Sequence, residues 1–175
     1  MEPHKPSNAL GITTVAGDDH YAFSALDDCT IHEWNMKECR LERLLEGHSK
    51  HVTTLATTKD GRLLVSGGAD KTVRVWDRIT GQCTHTLAGH TDSVSALAVS
   101  ADNRFVVSGS QDRTLRIWDL GSGRCVRTLE AGRSIVSTVA LTTDGHLVVF
   151  SDWHSARVWE LDWDYELSAD DRDGA

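Results

Sequence analysis

Between Val94 and Trp118 the chain alternates three short apolar runs, VSALAV, RFVVSG and TLRIW, with polar clusters. Asp102-Asn103 separates the first two runs, and Gln111-Asp112 separates the second from the third. Short β-rich runs bounded by turn-forming residues read as consecutive antiparallel strands. They are expected near 94–99, 104–109 and 114–119, with a fourth near 124–130, and an equivalent set near 52–57, 62–67, 72–77 and 82–88. No segment sustains apolar residues at three- and four-residue spacing, so no helix is expected.

The pattern keeps time along the chain. Trp34, Trp76 and Trp118 stand 42 residues apart, and Trp159 follows 41 residues later. Gly47-His48 precedes Gly89-His90 by the same 42, and the turns Asp60-Gly61, Asp102-Asn103 and Asp144-Gly145 share that interval. Asp-Gly between two apolar runs favours a hairpin, because glycine supplies positive φ cheaply. A fixed period of this length with four strands per unit points to a propeller or array.

The sequence GH…SGGADKTVRVWD and its copy GH…SGSQDRTLRIWD resemble the WD-repeat family of β-propellers. Strand alternation alone would say only all-β; the resemblance and the period together imply four four-stranded antiparallel blades. They would form a propeller that is partial or completed by oligomerisation. Blades are expected at about 10–46, 47–88, 89–130 and 131–167, with the repeats proper within 10–160. A polar leader occupies 1–9, and an acidic tail, 161–175, includes a last outer strand at Trp163 to Leu167. The first repeat is degenerate: Asn35 follows its Trp34, and Pro6 stands where His48 would be matched.

Composition narrows the function. Hydrophobic residues make up 39% of the 175 and charged residues 25%, a globular composition without a run of the roughly 20 apolar residues that span a bilayer. The formal charge of −8 is concentrated at the end, where residues 160 to 175 hold seven acids and one base. A near-neutral body with an acidic end offers no clustered basic patch, so neither nucleic acid nor membrane is expected as a partner. No secretion-type leader is read, and the cytoplasm is the expected location. The four cysteines are expected to be unpaired small buried hydrophobes, Cys39, Cys83 and Cys125 falling near one position in successive outer strands.

Four positions recur in the intact repeats: His48, Ser66, Asp70 and Trp76, then His90, Ser108, Asp112 and Trp118. The resemblance implies a hydrogen-bonded set inside each blade, since polar groups between packed sheets need partners. Ser, His and Asp also compose a hydrolase triad, the alternative of another class. Two copies 42 residues apart and the lack of a Gly-x-Ser-x-Gly elbow favour the structural role. No catalytic residue, metal ligand or cofactor is assigned. Arg74, Arg116 and Arg157, each two residues before a Trp, are expected to serve packing or an Asp partner.

Function is expected where the repeats differ. In the resembling family, partners dock on loops before the first strand and between the second and third. Those loops hold Lys50, His51 and Lys71, then Asp92 and Arg113, then Arg133, Trp153 and His154. Trp153, at the turn position of Asp70 and Asp112, has the composition of a hot spot or covers the edge of its blade. The expected activity is a non-catalytic scaffold docking a protein or peptide. The ending WELDWDYEL resembles tails of bacterial WD arrays fused to signalling ATPase or kinase modules, which implies instead a C-terminal sensor or regulatory segment. Three arrangements stay open: a homodimer forming an eight-bladed ring, blades supplied by a longer chain, and a four-bladed ring.

Overall fold

Turn chemistry sets the first strand pairs. Thr58, Ser100 and Thr142 each donate a side-chain hydrogen bond to the aspartate two residues on, Asp60, Asp102 or Asp144. The next residue, Gly61, Asn103 or Gly145, then takes positive φ of 64°, 61° or 76°. The computed structural model describes residues 12–15, 20–25, 28–152 and 155–161. Within these lie fifteen strands and no helix.

They form four antiparallel meanders. The first sheet comprises β1 (Ile12–Val15), β2 (Tyr21–Ala25), β3 (Ile31–Asn35) and β4 (Arg40–Leu45). The second comprises β5 (Val52–Thr57), β6 (Leu63–Gly68), β7 (Val73–Asp77) and β8 (Cys83–Leu87). The third comprises β9 (Val94–Val99), β10 (Phe105–Ser110), β11 (Thr114–Asp119) and β12 (Cys125–Glu130). The fourth has β13 (Thr138–Leu141), β14 (Leu147–Ser151) and β15 (Ala156–Glu160). The outer strand expected at Trp163 to Leu167, the leader at 1–9 and the rest of the tail lie outside the described residues.

The opening strands β1, β5, β9 and β13 neighbour one another, so the sheets stack around a common inner edge. Three apolar cores fill the spaces between them. Phe23, Ile31 and Leu45 meet Leu64 and Trp76 between the first and second sheets. Val65, Val73 and Val75 meet Val94 and Trp118 between the second and third. Val107 and Ile117 meet Val139, Val148 and Phe150 between the third and fourth. The tryptophan of each inner sheet thus faces the sheet before it.

Glycine sets how closely the inner strands approach. A Cβ on Gly67 would stand 2.5 Å from a methyl of Val94, and one on Gly109 would stand 2.4 Å from a methyl of Val136. Hydroxyls bridge the same junctions. Thr53 lies between Gly67 O and Val94 O, and Ser95 between Gly109 O and Val136 O.

The cysteine expectation needs correction. All four are free, but Cys39 and Cys125 are exposed and Cys29 and Cys83 half-buried. Each outer strand bulges beside its tryptophan, pairing Trp34 with Leu41, Trp76 with Cys83 and Trp118 with Cys125. The position equivalent to Cys83 is therefore Leu41, while Cys39 sits in the preceding turn at φ 49°. Gly109→Ala should lower stability by about 1–3 kcal/mol through overpacking. Adding Val136→Ala should recover part of that loss, a non-additivity readable in urea melts; two independent additive losses would contradict the contact.

Candidate functional site

The recurring polar set is built at one end of each inner sheet. In the third, Trp118 on β11 is paired across the ladder with Val106, which places its indole beside Ser108 on β10. The indole N–H donates to Ser108 Oγ at 2.8 Å, and Ser108 Oγ lies 2.7 Å from His90 Nε2. His90 Nδ1 lies 2.9 Å from Asp112 Oδ2. The second sheet repeats this: Trp76 to Ser66 at 2.9 Å, Ser66 to His48 at 2.8 Å, His48 to Asp70 at 2.9 Å.

Chemistry fixes the direction of every bond. An indole N–H can only donate and an ionised carboxylate can only accept. The imidazole therefore carries its proton on Nδ1, facing Asp112, and its bare Nε2 accepts from the serine hydroxyl. Asp112 Oδ2 also accepts from Thr91 N–H at 2.9 Å, and Oδ1 accepts from the N–H and hydroxyl of Thr114 at 2.9 and 2.6 Å. Asp70 does the same for Ser49 and Thr72. One carboxylate thereby holds both the loop entering the sheet and the turn between its middle strands.

Burial tunes the charges. Burial pushes His48 and His90 below the ordinary imidazole range, outweighing the hydrogen bonds and charge of Asp70 and Asp112 that favour the cation. Burial alone would raise Asp112, but the donors Thr114, Thr91 and His90 hold it at about 2. Asp70 is lowered against its burial by His48, Thr72 and Ser49.

The set has the residue types of a hydrolase but not the availability. Ser66 and Ser108 are fully buried, and each hydroxyl is engaged by an indole and an imidazole. A nucleophile needs an open approach, which these lack.

Arginines pack the start of each loop. Arg74 and Arg116 lie where a Cβ on Gly47 or Gly89 would stand 2.7 Å from their guanidinium, so only glycine leaves them room. Arg157 takes the same place beside Gly132 and donates to Ala131 O at 2.6 Å. These guanidiniums serve packing; the Asp partner is not among their printed bonds of the described residues.

The outlying sheets differ. In the first, Trp34 donates to Ser24 at 2.8 Å, and His32, from within β3, reaches Asp28 at 3.1 Å. That pair escaped the sequence reading, which placed His32 only at the arginine position; the spacing Asp28-x-x-x-His32 across the turn was the available signal. In the fourth, Phe150 stands in the serine's place and packs edge-on against Trp159 at 4.6 Å. The turn carboxylate there is Asp152, whose Oδ1 accepts from Ser155 N–H at 2.7 Å.

The loop candidates lie at the end that the two aspartates anchor. Lys50 and His51 precede β5, Asp92 precedes β9 and Arg133 precedes β13; all four are exposed. Lys71 and Arg113, also exposed, occupy equivalent turns at φ 71° and 68°. Lys71 Nζ crosses to Thr91 O on the next sheet at 2.8 Å. Trp153 and His154 lie outside the described residues.

Stability should be full above the imidazoles' ordinary value of 6.5 and fall as pH drops through it, because the unfolded chain takes up protons there and buried His48 and His90 do not. A second loss should follow below the ordinary carboxylate value of 3.8, down to about 2 for Asp112. Urea midpoints at pH 7.5, 5.5 and 3 read both steps; His90→Asn should flatten the first, and a midpoint unchanged from 7.5 to 5.5 would contradict it. Ser108→Ala should cost about 1–3 kcal/mol by orphaning buried polar partners.

Comparison with known proteins agrees with this geometry. The family model "WD domain, G-beta repeat" matches residues 39–77, 81–119 and 123–160. Each matched unit begins at the outer strand of one sheet, or just before it, and ends in the third strand of the next, so one unit stitches two sheets together. The rice (Oryza sativa subsp. japonica) "Small ribosomal subunit protein RACK1y" is 42% identical over 43 residues, covering 25% of this chain and 13% of that protein. The human "U3 small nucleolar RNA-interacting protein 2" is 35% identical over 75 residues, covering 35% of this chain and 16% of that one. The solved structures "Structure of U3-55K" and "Crystal structure of RRP9 WD40 repeats" each superpose with a TM-score of 0.82 at 27% identity. Each match covers 90% of this chain but only 50% of the solved one. With three matched repeats, four stacked antiparallel sheets and two complete Trp–Ser–His–Asp sets, the chain belongs to the WD-repeat family.

Proposed function

We propose that the chain is a non-catalytic interaction scaffold that docks a protein or peptide on its loop face. The observation that supports this reading is how charge is sorted there. The side chains of Asp70 and Asp112 are turned inward, each only 5% exposed, and their acceptor capacity is spent on the loops they anchor. Lys50, His51, Lys71, Arg113 and Arg133 stay exposed, with Asp92 the exposed acid among the candidates. On a chain of formal charge −8 this face presents cations, so the complementary partner is an acidic segment of a protein.

The frame under these residues is rigid, which lowers the ordering cost of binding. Arg113 follows Asp112 directly, so the same hydrogen bonds that close the Trp118 set also aim the turn that carries the cation. Two of the relatives bear RNA-related names, one for U3 small nucleolar RNA and one for the small ribosomal subunit. A protein-docking role inside such an assembly is compatible with the cationic face, and RNA itself is the competing occupant that the test must separate.

A peptide-display selection on the folded chain, counter-selected with the Lys50→Glu, Arg113→Glu double variant, tests the reading. Acidic peptides should be enriched and should bind the double variant at least about tenfold more weakly, at unchanged thermal stability. Selection without acidic bias, binding indifferent to both substitutions, or tighter binding of a single-stranded oligouridine than of any selected peptide would each overturn it.

A further inference from the structure

A second surface, independent of the loop face, lies on the outward faces of the first and fourth sheets. We infer that the outward face of the fourth sheet, β13–β15, docks the outward face of the first sheet, β1–β4, of a second copy of this chain, closing two copies around a two-fold axis.

The two faces continue an interface the molecule already uses three times. Leu147, Val149 and Val158 stand on the fourth sheet where Phe105, Val107 and Ile117 stand on the third, in the same ladder register. Ile117, covered by the fourth sheet, is 3% exposed; Val158 is 58% exposed. On the first sheet, Trp34 occupies the place of Trp76 and Trp118, the residue each inner sheet turns toward its predecessor. Trp76 and Trp118 are 1% and 2% exposed, and Trp34 is 37% exposed. Trp118 packs in one core with Val65 and Val75, whose counterparts on the fourth sheet are Val149 and Val158. A second copy's Trp34 would find the same pair.

The first sheet's face is also more apolar than its inner copies. Leu41, paired with Trp34, and Leu44, paired with His32, are both exposed. They stand where the second sheet has Cys83 and Thr86. A solvated face would not gain leucines over the buried version of itself, whereas a face that must associate without a covalent tether would.

A polar handle completes the match. Thr53 and Ser95 reach one carbonyl on their own sheet and one on the opening strand of the next sheet, Val94 O or Val136 O. Ser137, 42 residues after Ser95, is exposed and makes the own-sheet half of that bridge, donating to Ser151 O at 3.0 Å. The other half would come from the opening strand of an incoming sheet. In extent, the chain matches half of the solved U3-55K and RRP9 chains, so two copies match one of those in length.

Light scattering and sedimentation equilibrium on the full 175-residue chain test this. The expected particle has twice the 19.2 kDa of one chain. Val158→Glu and Leu44→Lys should each weaken it at least about tenfold with far-UV circular dichroism and thermal melting retained. An equimolar mixture of the two variants should regain a dimer, because one of its two junctions is native. That rescue separates pairing of unlike faces from pairing of like ones. A chain that stays at 19.2 kDa through the micromolar range, a dimer indifferent to both substitutions, or open-ended oligomers would overturn the proposal.

Discussion

A buried indole N–H has to find an acceptor, and in this molecule that need organises everything around it. Trp118 lies between two sheets, where an unmet donor costs about 1–3 kcal/mol. Its N–H takes Ser108 Oγ, which leaves the single hydroxyl hydrogen for His90 Nε2, which in turn forces the imidazole proton onto Asp112. No member can reverse its role without stranding another. A core strand, its neighbour, the entering loop and the intervening turn are thereby tied to one geometry. The sheet gains from this a register that apolar packing alone would leave loose, because valine against valine tolerates a slip that a one-way relay does not.

Between sheets the constraint changes in kind. The relays lie within single sheets, so what holds sheet to sheet is apolar packing, glycine sockets and the bridging hydroxyls of Thr53 and Ser95. Each interface is nearly self-contained, as in other stacked-repeat architectures where stability accumulates neighbour by neighbour. The same independence lets the loop face vary. Lys71 and Arg113 occupy equivalent turns at nearly equal φ, yet the backbone beneath them is set by Asp70 and Asp112, so their side chains are free to serve recognition.

The strands were legible because every one is written more than once. The turn Asp60-Gly61 recurs as Asp102-Asn103 and Asp144-Gly145, and the observed strands of the second and third sheets fall within one residue of their expected ends. What depended on a single copy or on a bulge was not legible. Cys39 looked like the partner of Cys83 and Cys125 by spacing, but the bulge beside each tryptophan moves the register and puts Leu41 there instead. His32 bonds to Asp28 because the first sheet brings its own imidazole to the carboxylate, a substitution that counting positions from an arginine cannot show. The loop residues were legible as positions. The cationic character of the loop face was not, since it depends on which way Asp70 and Asp112 point, and that is decided by the buried hydrogen bonds.

The departures of the outer repeats follow from the same accounting of polar groups. Deleting one member of a relay orphans its neighbours, whereas replacing adjoining members together with apolar groups is nearly neutral. The fourth sheet follows the second course: Phe150 replaces the serine and turns an edge to Trp159, so the junction once bridged by a hydroxyl becomes an aromatic contact. The first sheet keeps the Trp34–Ser24 bond and rebuilds the carboxylate contact from His32. Neither end shows a half-removed set. Both changes lie within sheets whose other face carries exposed apolar residues, Trp34 and Val158. Sequence drift alone would erode the relay and the apolar face alike. Here the relays are rewritten while the faces keep or gain aliphatic surface, which is the pattern expected when those faces are held to a packing requirement of their own.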